Sequence, residues 1–123
     1  MENRTNTEVE VRKLQKINVE NEYYTKTMFQ QIQYPYRDVF WSWGGHNFQQ
    51  AQTIEKHPKP TLIFQVSGMK FVGEVRIYYN WLDYYEVEFI KDNKVVKRYD
   101  EIYCDMLQNT IDVYVEKLPH YEH

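Results

Sequence analysis

Between Leu62 and Tyr99 apolar and polar residues alternate with a period of two, and only short turn-like breaks interrupt the pattern. Leu62, Phe64 and Val66 point one way, with Ile63 and Gln65 opposite. Val75, Ile77 and Tyr79 alternate with Glu74, Arg76 and Tyr78; Tyr85, Val87 and Phe89 alternate with Glu86, Glu88 and Ile90. Ser67-Gly68 and Asn80–Asp83 mark turns, and Asp92-Asn93 sits between Phe89-Ile90 and the run Val95–Tyr99 as a tight hairpin. Successive strands joined this way make a meander.

Helical signals flank the strands. Tyr24, Met28 and Ile32 recur at four-residue spacing between Glu22 and Gln33, with Phe29 beside them, until Tyr34-Pro35-Tyr36 stops the run. Near the end, Tyr103, Leu107, Ile111, Tyr114 and Leu118 form an apolar stripe, which predicts a helix capped by Asp100 and closed by Pro119. Its outer face would carry Asp105, Gln108, Asp112 and Glu116. The run Asp38–Trp43 reads as a further short strand ended by Gly44-Gly45, and HPKP (57–60) reads as a loop. The expected fold is therefore α+β: a meandering antiparallel sheet of about five strands, with an N-terminal and a C-terminal helix packed on one face. Residues 1–20 are polar and read as an arm, 21–119 as one domain and 120–123 as a tail.

Charge and composition narrow the function. Fifteen basic against 18 acidic residues give a net charge of −3, which opposes a strong grip on phosphate backbones. The single cysteine, Cys104, allows no intrachain disulfide and suits a reducing compartment; one position off the apolar stripe, it reads as a partly buried, inert thiol. The N-terminus lacks the apolar run of a signal peptide, and no stretch reaches membrane-span length, so a cytoplasmic protein with no membrane association is expected.

Catalytic patterns fail one at a time. HYEH spaces two of the four histidines, His120 and His123, by three residues, but no cysteine or carboxylate pattern completes a zinc set. Neither GxGxxG nor GxxxxGK[ST] occurs. Glu86 and Glu88 share a strand face, as do Glu74 and Arg76 on the preceding strand, and cross-strand charge pairing on a solvated face accounts for them. A hydrolase using Glu86 or Glu88 is the remote option. No enzyme, cofactor or metal is expected.

Several fragments together resemble a family of short, functionally uncharacterised proteins from phages and other mobile elements. TMFQQI ends the first helix, GGHNF closes FWSW, LIF opens a strand, and EIYCDML stands at the start of the last helix. Most distinctive is VRIYYNWLDYYEVEF, which carries the family's N-x-x-D-x-Y-x-V-E-F run from Asn80 to Phe89. The chain departs from the pattern with GGHNF in place of GAKNF and YPYRD in place of a glycine-rich start. The resemblance implies the fold and a mobile-element setting, and it supplies no activity.

Twelve tyrosines, six phenylalanines and three tryptophans then suggest what the surface does. If FWSW alternates as a strand, Trp41 and Trp43 share a sheet face with Tyr78 and Trp81, and His46 follows the glycine turn. Trp41, Trp43, His46, Tyr78 and Trp81 are the candidate binding residues, for an unknown protein partner or a second copy of the chain. The alternative is single-stranded nucleic-acid binding by stacking, with Lys70, Arg76, Lys94, Lys97 and Arg98 as the interleaved cations.

Overall fold

A computed structural model of the chain describes residues 10–117. Six strands, β1 (Leu14–Lys16), β2 (His46–Thr53), β3 (Pro60–Ser67), β4 (Val72–Tyr79), β5 (Tyr85–Lys91) and β6 (Lys94–Ile102), form one antiparallel sheet in chain order. Helices α1 (Glu22–Gln31), α2 (Arg37–Ser42) and α3 (Leu107–Val115) pack on one side of it. The class is the α+β meander that the alternation implies. Asp92 and Asn93 take φ of 52° and 62°, so the β5–β6 connection is the two-residue turn whose twist matches a hairpin.

Register carries the alternation into the core. Phe64 lies opposite Val75 and Val75 opposite Phe89; Leu62, Ile77 and Val87 form the next row. Onto these rows the helices lower Met28 and Ile32, Val39 and Trp43, and Leu107, Ile111 and Val115, all buried. Aromatic contacts knit the layers: Phe48 stacks on Phe64 at 4.9 Å, and Tyr114 meets Phe89 at 4.3 Å. Where the end of α3 crosses the β3–β4 turn there is no room for a side chain. A Cβ on Gly68 would lie 2.3 Å from the Val115 carbonyl oxygen, which instead accepts the Lys70 amide at 2.9 Å.

Five expectations are corrected. Asp38–Trp43 lies within and just beyond α2 rather than forming a strand, so Val39 and Trp43 are buried while Trp41 is exposed. The sheet has six strands, because β1 and the polar segment β2 join it. The described part of the presumed arm, from Glu10, includes β1, whose residues pair with Ala51–Thr53; residues 1–9 and the tail 120–123 lie outside the described residues. Asp100 and Glu101 belong to β6 rather than capping a helix, and α3 begins only at Leu107, after a tight turn over Cys104–Met106 that leaves Cys104 exposed.

The fifth concerns the face of α3, where Gln108 and Asp112 are buried and Tyr103 is exposed. Each buried polar group has a task. Gln108 donates to the carbonyls of Ile32 and Tyr36 at 2.9 and 2.8 Å and accepts the Tyr36 amide, which satisfies the chain between α1 and α2. Asp112 accepts the Trp43 indole N–H at 3.0 Å. Leu118 lies outside the described residues.

Candidate functional site

On the side of the sheet away from the helices, β4, β5 and β6 place Arg76, Tyr78, Glu86, Glu88 and Arg98 side by side, with Tyr78 opposite Glu86 and Glu88 opposite both Arg76 and Arg98. This face is not solvated. Glu88 is 0% and Glu86 3% exposed, so the reading of these carboxylates as surface charge pairs is overturned. The cover is Arg12, whose guanidinium lies 4.4 Å above the Tyr78 ring and reaches Glu86 Oε1 with Nη2 at 2.9 Å. Arg98 Nη2 approaches the same oxygen at 2.8 Å, and Lys59 Nζ holds Glu86 Oε2 at 3.0 Å. The Asn80 side-chain amide also donates to Glu86 Oε2. Tyr78 donates its hydroxyl to Glu88 Oε1 at 2.7 Å.

The electrostatics follow from those partners. Burial alone would raise the Glu86 pKa, but the Lys59 hydrogen bond and the Arg12 charge outweigh it and hold the group at about 2. Burial, and then the neighbouring Glu88 charge, push the Tyr78 hydroxyl well above its ordinary value, so it remains a donor. Held ionised by these neighbours, Glu86 has no proton to donate near neutral pH. Its consequence is for stability. Because its folded pKa lies below the ordinary 4.5, Glu86 contributes fully above that value and loses its contribution as pH falls through about 2. Urea titrations should show on the order of 3 kcal/mol disappearing over that window. The Glu86→Gln variant should lack that component; an unchanged acid limb would refute the assignment.

A second feature lies at the end of the sheet where β4 turns into β5. Tyr24 of α1 stacks on Tyr79 at 4.6 Å, and Trp81 meets their rings edge-on at 4.9 and 5.1 Å. Trp81, at φ 70°, is anchored by its indole N–H to the Pro58 carbonyl at 2.9 Å, and Tyr23 extends the cluster outward. Trp81, Tyr23 and Leu82 are all exposed. Beside them opens a cleft of 680 Å³ lined by residues that include Asn18, His57, Lys59, Asn80, Trp81 and Leu82. Lys59 and Asn80 thus connect its lining to Glu86.

The five residues singled out in the sequence are not brought together. Trp41 is exposed on α2; Trp43 is fully buried at the end of that helix. His46 is exposed at the start of β2, its Nδ1 2.9 Å from the Gly44 carbonyl oxygen. Tyr78 is buried beneath Arg12, and only Trp81 borders the cleft. Sequence reasoning missed Arg12, Lys59, Tyr24 and Tyr79 as members of either site. Arg12 gives no local signal, since its partners lie more than sixty residues further along the chain.

Among the described residues no group of three or more His, Cys, Asp or Glu side chains is arranged to hold a metal, and no helix is long and apolar enough to cross a membrane. His120 and His123 lie outside the described residues. No protein family, curated protein or solved structure matches the chain.

Proposed function

We propose that the chain is a non-enzymatic accessory protein of a phage or other mobile genetic element, acting in the cytoplasm by binding another protein. The observation that carries this reading is the ring cluster of Tyr23, Tyr24, Tyr79 and Trp81, which opens onto the cleft with Tyr23 70% and Trp81 40% exposed. Aromatic side chains that combine large area with a polar tip are favoured contact residues, and an exposed apolar patch marks a contact surface. The aromatic contact surface lies at this end of the molecule, because Tyr78 on the helix-free sheet face is covered by Arg12. The mobile-element setting rests on the sequence resemblance, and phage or transposon genes beside this one are its check.

The test is a Tyr23→Ala/Trp81→Ala double variant compared with the wild type in affinity capture and analytical ultracentrifugation. A discrete partner recovered in stoichiometric amount, or a second copy seen as a dimer, should be lost in the variant while circular dichroism stays unchanged. Retention of the same partner by the variant would sink the surface assignment. Stacking of single-stranded nucleic acid on the helix-free face is disfavoured: Tyr78 is covered by Arg12, and Lys59 and Arg98 are committed to Glu86. Micromolar oligonucleotide binding that weakens steeply with salt would reverse that preference.

A further inference from the structure

Arg12 sits in a setting that matches its own chemistry closely. Its guanidinium carbon lies 4.4 Å over the centre of the Tyr78 ring, with Nη2 2.9 Å from Glu86 and Nε on the side of Glu88. An aromatic floor with two carboxylates at the rim is the arrangement that a guanidinium fills and a compact ammonium does not, because only the planar fork can stack and pair at once. The carboxylates are deeply buried and therefore belong to a built site.

The fit is also incomplete on both sides. Glu88 Oε2 is buried and has no hydrogen-bond partner among the described residues; Arg12 Nε and Arg98 Nη1 stand 3.9 and 3.8 Å away, beyond hydrogen-bond reach. Arg12 Nη1 is buried without an acceptor among the described residues. The site holds an unused acceptor and its resident an unused donor, and leaving such groups unpaired in a buried setting is costly. The resident side chain does not saturate its site.

We infer that Glu86, Glu88 and Tyr78 form a receptor for an arginine side chain, filled here by the chain's own Arg12 and open to an arginine of another polypeptide when that segment lifts. The segment bearing Arg12 is thereby a latch. Among the described residues it is held, apart from the Arg12 side chain, by the short β1 pairing with Ala51–Thr53, by Gln15 donating to the Thr53 carbonyl at 3.4 Å, by the Asn18 amide donating to Gln52 at 3.3 Å, and by Arg76 donating to the Arg12 carbonyl at 2.9 Å. This inference does not depend on the aromatic end being a contact surface.

Chemical rescue of Arg12→Ala in the full chain tests it. The variant should lose several degrees of Tm, and millimolar ethylguanidinium should restore part of that loss saturably, while ethylammonium at equal ionic strength should not. The wild type, with its site filled, should not respond, and Arg12→Lys should remain below the wild type. If Arg12→Ala does not fold on expression, the folded yield on refolding with ethylguanidinium against ethylammonium gives the same comparison. An Arg12→Ala variant as stable as the wild type, an absence of rescue, or equal action of the two cations overturns the assignment.

Discussion

Replacing Trp43 by alanine should destabilise the fold by ~3–5 kcal/mol in chemical denaturation, whereas Trp41→Ala, two residues earlier, should shift it by under ~0.5 kcal/mol. Both follow from α2 being a helix. Val39 and Trp43, four residues apart, fall on its inner face, and Trp43 is 0% exposed against 68% for Trp41. Phe40 meets the Trp43 ring at 5.6 Å, and the indole N–H reaches Asp112 across the interface with α3. A Trp43→Phe variant separates the two contributions: it keeps an aromatic ring in the core but removes the donor to Asp112, at an expected cost of ~1–3 kcal/mol. Near-equal effects of Trp41→Ala and Trp43→Ala would mean that the two side chains share an environment, as they would on a strand.

That pair also shows where the sequence was legible. The β3, β4 and β5 alternation, the Asp92-Asn93 turn and the Met28 and Ile32 face of α1 could be read directly, because each combines a repeated period with a turn or a stop. FWSW could not. Four residues are too few to separate a period of two from one of 3.6, and bulky aromatics favour the strand reading. Strands β1 and β2 went unseen for the opposite reason: they are short or polar, and β2 buries only Ala51, Gln52 and Thr53 near its end. The stripe on α3 was legible in its apolar members Leu107 and Ile111. Gln108 and Asp112 read as outward because their burial depends on distant partners, the chain between α1 and α2 for Gln108 and Trp43 at the end of α2 for Asp112. The candidate sites were the least legible part. The alternation correctly placed Glu86 and Glu88 on the helix-free face, but nothing local says that this face is covered by an arginine from the N-terminal segment.

Removing Glu88 tests that cover most severely, and Glu88→Ala should cost ~3–5 kcal/mol, the range for breaking a buried charge assembly by taking away one member. Arg12, Lys59 and Arg98 surround Glu86 and Glu88, so the variant leaves three cations facing one carboxylate. It also strands the Tyr78 hydroxyl, which is buried and donates to Glu88 at 2.7 Å. Glu88→Gln keeps the shape and an acceptor for that hydroxyl, so its cost should be smaller and should come mainly from the lost charge. The ordering matters more than either value, because buried ion pairs are not stabilising by default. A well-packed apolar replacement can equal them, and Glu88→Leu serves as that comparison. If Glu88→Leu matches the wild type while Glu88→Ala does not, the loss comes from the cavity, and the charges on this face contribute recognition rather than stability. If Glu88→Leu falls as far as Glu88→Ala, the stranded cations and the Tyr78 hydroxyl dominate, and the charged cluster is what fastens the N-terminal segment to the sheet.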